Sequence, residues 1–324
     1  MNRREFMIAS AATGLAGTSL LGVEAFAQQQ VNISIATGGT GGVYYPLGGG
    51  MANVLSKTLP GYVASARVTG GSVANMQLIG SKQAEVALTQ VDAAYDAIKG
   101  LDKFVGNVVA ARKLMVLYPN RMHVVSVEGR GVTKMADLKG KRVSTGSPGS
   151  ATEVFAFRCI EMAGLDKDKD MRRERLGVAE STNAVKDGKI DAYFWVGGLP
   201  TAAVTDLAAT PNTKIVLVDT GDLVQKMNAK YNDLYTTGVI PAKTYPGQDK
   251  DNPVAVIQNI LVAHESMPDK TALDIVKTFI EKQADLVAVH GEAKSITVEN
   301  QKNGPIPWHP AAEKYFKEKG AKLS

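Results

Sequence analysis

The chain has 324 residues, 44% apolar and 21% charged, with no uninterrupted apolar span beyond its N-terminal segment. That length suggests about two domains of ordinary size around a substantial core, and the composition excludes a disordered chain and an integral membrane protein. Lys and Arg outnumber Asp and Glu by 37 to 32, but the charges are scattered and form no basic block, so a nucleic-acid role is not expected.

The N-terminus reads Arg3-Arg4-Glu5-Phe6-Met7, then a mildly apolar stretch to Val23, then Ala25-Phe26-Ala27 before Gln28. This is the pattern of a twin-arginine export signal over residues 1–27, cleaved after Ala27. Asn2 stands where Ser or Thr usually precedes the arginine pair, so an ordinary Sec signal stays open. The one cysteine, Cys159, lies far from the signal within a predicted helix, so neither an intramolecular disulfide nor a lipoprotein anchor can form. It reads as a small buried apolar residue. The mature chain is therefore expected to be soluble in the periplasm.

From residue 31 onward, short apolar runs alternate with helical patterns. Residues 31–37 (VNISIAT) alternate like a strand, 38–42 (GGTGG) break it, and 45–59 suit a helix closed by Pro60-Gly61. The unit recurs as a strand over 63–69, a loop Gly70-Gly71-Ser72 and a helix over 73–80. A third strand, 84–89, leads into a helix ending near Lys99, with Asp92 as its expected N-cap. A second series follows, with strands predicted at 114–118, 122–127, 141–145, 173–176, 192–195 and 213–218, and a helix from Ser150 to about Ala163. The run 254–263 is long for one strand. Beyond it the pattern is helical, with Asp269 as N-cap and Leu273, Val276, Phe279 and Ile280 on one face.

Strands alternating with helices predict an α/β fold of two lobes, each a mainly parallel sheet flanked by helices. Helices without strands of their own at the C-terminus must cover a sheet already built, that of the first lobe. The expected division is 28–121 plus 256–324 for lobe 1 and 122–255 for lobe 2, joined by a hinge of crossing strands.

Glycine loops at the carboxyl ends of parallel strands expose backbone N–H groups at helix starts, where an anion is favoured. Gly39 and Gly41 would allow close approach of such a ligand, and a side chain on either would obstruct it. The loops match neither the dinucleotide fingerprint nor a nucleotide-binding loop, so no cofactor is expected. No His pair or carboxylate cluster has metal-binding spacing. Gly70-Gly71-Ser72-Val73-Ala74 approaches the nucleophile elbow, which keeps a Ser72 hydrolase as the enzymatic alternative. Its weakness is the histidines: His123, His264, His290 and His309 sit in no catalytic pattern.

The run Thr37-Gly38-Gly39-Thr40-Gly41-Gly42-Val43-Tyr44-Tyr45-Pro46 resembles the TAXI family of extracytoplasmic solute receptors of TRAP transporters. So do Gly71-Ser72-Val73-Ala74-Asn75, Gln90-Val91-Asp92-Ala93-Ala94-Tyr95, Gly146-Ser147-Pro148-Gly149-Ser150 and His309-Pro310-Ala311-Ala312. The segment Asp137-Leu138-Lys139-Gly140-Lys141-Arg142 fits too, though other periplasmic receptors share it. The resemblance implies a type II periplasmic binding protein fold, no catalysis, and capture of a small organic carboxylate such as glutamate or 2-oxoglutarate. A separate TRAP membrane component would drive uptake, and the receptor would be a monomer. Carried onto matching positions, Gly39, Thr40, Tyr44, Ser72, Asn75 and Gln90 contribute from lobe 1, and Ser147, Ser150 and Thr152 from lobe 2. The alternatives within binding proteins are an ABC-type or sensor-linked receptor. Arg67, Arg121 and Arg158 are candidates for a carboxylate-pairing cation, each expected at the surface.

Overall fold

The computed structural model describes residues 30–323, so the expected signal over 1–27 lies outside the described residues. The chain opens with β1 (Val31–Ala36), α1 (Tyr44–Thr58), β2 (Tyr62–Arg67), α2 (Ser72–Gly80), β3 (Val86–Gln90) and α3 (Val91–Lys99). β1 pairs in parallel with β2 on one side and β3 on the other. β3 is buried at every position, as a strand covered by helices on both faces must be. α1 buries Leu47, Met51, Val54 and Leu55, spaced i, i+4, i+7 and i+8, which is the single apolar stripe of a helix lying on a sheet. The N-cap of α3 is Gln90, not Asp92 as expected; Asp92 sits in the first turn, completely buried.

β4 (Ala111–Val127) corrects the expectation of two strands, at 114–118 and 122–127: it is one strand of 17 residues running through Pro119. It pairs antiparallel with β10 (Asn252–His264), itself a single long strand. Proline is tolerated there because the ladder is already interrupted. Pro119 faces Gln258 and Val116 faces Ile260, so that Leu117 and Tyr118 of β4 bulge opposite the single residue Asn259. At this point β4 also changes its second neighbour. At Val116 the backbone is met by the amide side chain of Gln301; from Arg121 onward it pairs with β7 (Ala192–Gly197).

The second half comprises β5 (Arg142–Ser144), α4 (Ala151–Met162), β6 (Arg172–Glu174), α5 (Val178–Lys186), β7, α6 (Ala202–Ala208), β8 (Ile215–Leu217), α7 (Val224–Tyr231) and β9 (Thr236–Ile240). β5 pairs in parallel with β6 and β7, whereas β8 and β9 pair antiparallel with β4 and β10. The sheet order is β2-β1-β3-β10-β4-β7-β5-β6. β9 and the helices α5, α6 and α7 are not predicted from the sequence, because segments of five to nine residues are too short to show a period.

After β10 the chain forms α8 (Asp269–Glu281), α9 (Gln283–Val289) and α10 (Pro310–Glu318). These helices pack with α1 on one face of the first half, where Ile33, Leu88, Leu117, Phe279 and Phe316 share a core. In α8 the N-cap is Pro268 and Asp269 is the first helical residue. Its buried stripe is Ala272, Ile275, Val276 and Phe279; Leu273, expected on that face, falls outside it and is 38% exposed. α2 and α3 cover the opposite face around Met76, Ala94 and Phe104. The second half has its own cores, one joining Phe155, Phe194 and Met227 and another joining Tyr193, Val204 and Tyr245. Two halves, each helix-covered on both faces, are thus joined by β4 and β10. Cys159 is buried in the second half, where burial pushes its thiol pKa up.

Candidate ligand-binding site

A cavity opens where the carboxyl ends of the strands of both halves meet the starts of α1, α2, α4 and α5. It leaves about 80 Å³ for the centres of water molecules, room for a small organic acid and too little for a peptide. From the first half, Gly39, Thr40, Gly41, Tyr44, Ser72 and Gln90 line it; from the second half, Ser147, Ser150 and Thr152 do. The sequence-derived set is therefore gathered in one place, with one exception. Asn75 lies elsewhere: its Nδ2 donates to the carbonyls of Thr37 (2.6 Å) and Leu88 (2.7 Å), and its Oδ1 accepts from the Thr69 hydroxyl at 2.6 Å. Those bonds hold the ends of β1 and β3 together and leave the side chain nothing to offer a ligand.

The floor of the cavity is formed by residues that the sequence did not single out. Tyr118 and Asn120 come from the middle of β4, and Trp195 from the end of β7. Their signal was faint: an Asn beside a Pro inside an apolar run. The Tyr44 hydroxyl donates to Oδ1 of Asn259, which faces the bulge of β4; the same oxygen accepts from Nδ2 of Asn120 at 2.9 Å. Nδ2 of Asn259 donates to the Tyr118 carbonyl at 3.1 Å. Burial raises the pKa of the Tyr44 phenol and holds Tyr118 well above the usual range, so both stay protonated. Ser72 Oγ accepts the backbone N–H of Gln90 at 3.2 Å, which fixes the hydroxyl at the start of α2.

The two halves touch around the cavity. Ser147 Oγ donates to the Gly70 carbonyl at 3.1 Å, the Ala74 N–H donates to the Gly149 carbonyl at 3.0 Å, and the Ala203 N–H donates to Gly41 at 3.4 Å. These contacts show what the glycines are for. A Cβ on Gly70 would lie 2.5 Å from the Pro148 carbonyl oxygen, and Gly71 adopts a φ of 117°, a conformation that L side chains rarely take. A Cβ on Gly41 would meet Cβ of Ala179 at 3.0 Å, whereas one on Gly39 would meet nothing within 4 Å. Gly41 therefore makes room for the opposite half, whereas Gly39 borders open space in the cavity.

Among the described residues no Lys or Arg lines the cavity, and the one acidic lining residue, Glu180, is exposed. The three candidate arginines lie elsewhere. Arg67 is exposed on β2, and Arg121 pairs with Glu292 at 3.3 Å. Arg158, expected at the surface, is buried because α4 packs on α3, where Asp96 meets it at 2.6 Å. Positive potential at the cavity thus comes from the first-turn N–H groups of α1, α2, α4 and α5, which helices leave without internal acceptors. Among the described residues no histidine lines it. His123 instead bonds Tyr245, and His309 bonds the Met267 carbonyl, so Ser72 has no imidazole base. Among the described residues no group of three or more His, Cys, Asp or Glu could hold a metal ion.

Comparison with known proteins gives a consistent picture. The structure of the periplasmic binding protein BugD matches with a TM-score of 0.55 at 14% identity, covering 90% of this chain and 93% of that one. A protein from Bordetella bronchiseptica RB50 matches with a TM-score of 0.51 at 18% identity, over 91% of this chain and 83% of that one. Identities this low speak for a shared fold. The NMT1-like family model matches residues 35–320. The chain thus belongs to the NMT1-like family and folds as a periplasmic binding protein does.

Proposed function

We propose that this protein is an extracytoplasmic solute receptor that captures a small organic carboxylate and delivers it to a TRAP membrane component. The observation that carries this reading is a small cavity enclosed between two halves and lined by four helix N-termini, with no histidine and no metal cluster among the described residues. A carboxylate fits such a site through backbone N–H groups and the hydroxyls of Thr40, Ser72, Ser147 and Thr152, without a cationic side chain. The candidate site residues carried over from the TAXI resemblance line this cavity, Asn75 excepted, which is the support for TRAP delivery. The lobes divide in β4 after Arg121 and in β10 before Val256, and they close on the ligand by bending there. The protein is exported, cleaved after Ala27 and monomeric.

A thermal-shift series with organic acids tests the reading, since a ligand at about 100 times its dissociation constant adds roughly 2.7 kcal/mol to stability. A midpoint that no acid raises would overturn it. Delivery is tested by co-purification with the membrane component encoded beside it; recovery of an ABC permease would place the same receptor on the ABC route.

A further inference from the structure

We infer that the solute carries, besides its carboxylate, an uncharged hydroxyl group that donates to Oδ1 of Asn120; this rests on the receptor reading above. Three buried polar atoms have no partner among the described residues and belong to side chains lining the cavity: Gln90 Oε1, Tyr118 OH and Asn120 Oδ1. Buried polar atoms are rarely left unpaired, and three gathered on one cavity floor mark where a ligand is met.

Of the three, only Asn120 has a fixed chemical demand. The Tyr118 hydroxyl can donate or accept, and the Gln90 amide can turn over. Asn120 cannot. The Tyr118 carbonyl only accepts, so Asn259 must present Nδ2 to it and turn Oδ1 toward Tyr44 and Asn120. That oxygen takes the Nδ2 donor of Asn120. Rotating the Asn120 amide would set oxygen against oxygen, and rotating both amides would set Asn259 Oδ1 against the Tyr118 carbonyl. The free end of Asn120 is therefore an acceptor, which needs a donor from the ligand.

A second carboxylate or a keto oxygen at this point repels it. An ammonium donates, but burial without a counter-charge disfavours it. Glu180 is exposed, and the buried Asp92 is already held by Tyr235 at 3.0 Å and faces Arg158 at 3.9 Å. A hydroxyl meets the demand without a charge.

The test is calorimetry on the mature chain with matched sets: lactate, pyruvate, alanine and propionate; 2-hydroxyglutarate, 2-oxoglutarate, glutamate and glutarate; malate, oxaloacetate, aspartate and succinate. In the tightest-binding set the hydroxy acid is expected to exceed its relatives by about tenfold or more. In Asn120→Ala the gap between hydroxy and deoxy acid should shrink below about threefold. If that variant does not unfold cooperatively, the wild-type ranking decides alone. Oxo, amino or deoxy acids binding as tightly as the hydroxy acid overturn this inference and leave the receptor reading standing. Binding by none of the acids overturns both.

Discussion

Arg158 on α4 donates to Asp96 on α3 at 2.6 Å, a buried ion pair that ties the second half of the molecule to the first. The same guanidinium donates to the Tyr235 hydroxyl at 2.6 Å, which in turn donates to Asp92 at 3.0 Å. Each member is buried, so removing one leaves the others in a low-dielectric environment without compensation. Arg158→Met should therefore lower stability by about 3–5 kcal/mol in chemical denaturation. The exposed Arg67 is the control, and Arg67→Met should stay within about 0.5 kcal/mol of wild type. Equal unfolding midpoints for the two variants would refute the account of this network.

His123 supplies a pH dependence whose sign can be worked out. It is fully buried in β4, with Nδ1 on the Arg121 carbonyl at 2.9 Å and Nε2 on the Tyr245 hydroxyl at 2.8 Å. Burial pushes its pKa down from 6.5 to about 4. The unfolded chain therefore takes up a proton first as pH falls, and the folded chain follows only near 4. Stability from this residue is complete above 6.5 and lost as the pH falls through about 4, in total about 3 kcal/mol. His123→Gln removes this contribution. The stability difference between wild type and variant, measured by urea unfolding from pH 7 to pH 4, should fall by that amount; a constant difference would contradict the assignment.

The two glycines of the first loop should behave differently. Gly41→Val would press on Ala179 and Val178 of the opposite half, so calorimetry with the best acid should show affinity reduced by about a hundredfold or more. Small-angle scattering of that variant should no longer contract on adding ligand, whereas wild type does. Gly39→Ala has open space around it, and its affinity should remain within about threefold of wild type. If both variants bind like wild type, the first loop does not control closure.

Asn75→Ala should act on stability rather than specificity. It strips the carbonyls of Thr37 and Leu88 of a buried donor, the Thr37 carbonyl keeping only the Thr69 hydroxyl at 3.0 Å, at a cost of about 1–3 kcal/mol. The ranking of ligands in calorimetry should be unchanged. A variant of wild-type stability that reorders the ligands would return Asn75 to the cavity.

The first half of the chain was legible in its sequence because strand and helix periods alternate cleanly there. VNISIAT, its glycine loop and the helix behind it each announce themselves by local spacing, and local spacing also places Gly39, Thr40, Tyr44 and Ser72 at strand ends and helix starts. Local pattern could not reveal partners distant in sequence. Pro119 divides an apolar run that the structure makes continuous, because pairing with β10, 140 residues away, bulges β4 opposite Asn259 and interrupts the ladder where proline has no N–H to give. Asn75 and Asn120 are equally polar in sequence. One spends its amide on the sheet and the other keeps an oxygen facing the cavity, a difference set by Asn259 and by the carbonyls that close around each. Arg158 looked like a surface charge for the same reason: Asp92 and Asp96, which make its burial tolerable, come beside it only when α4 packs against α3.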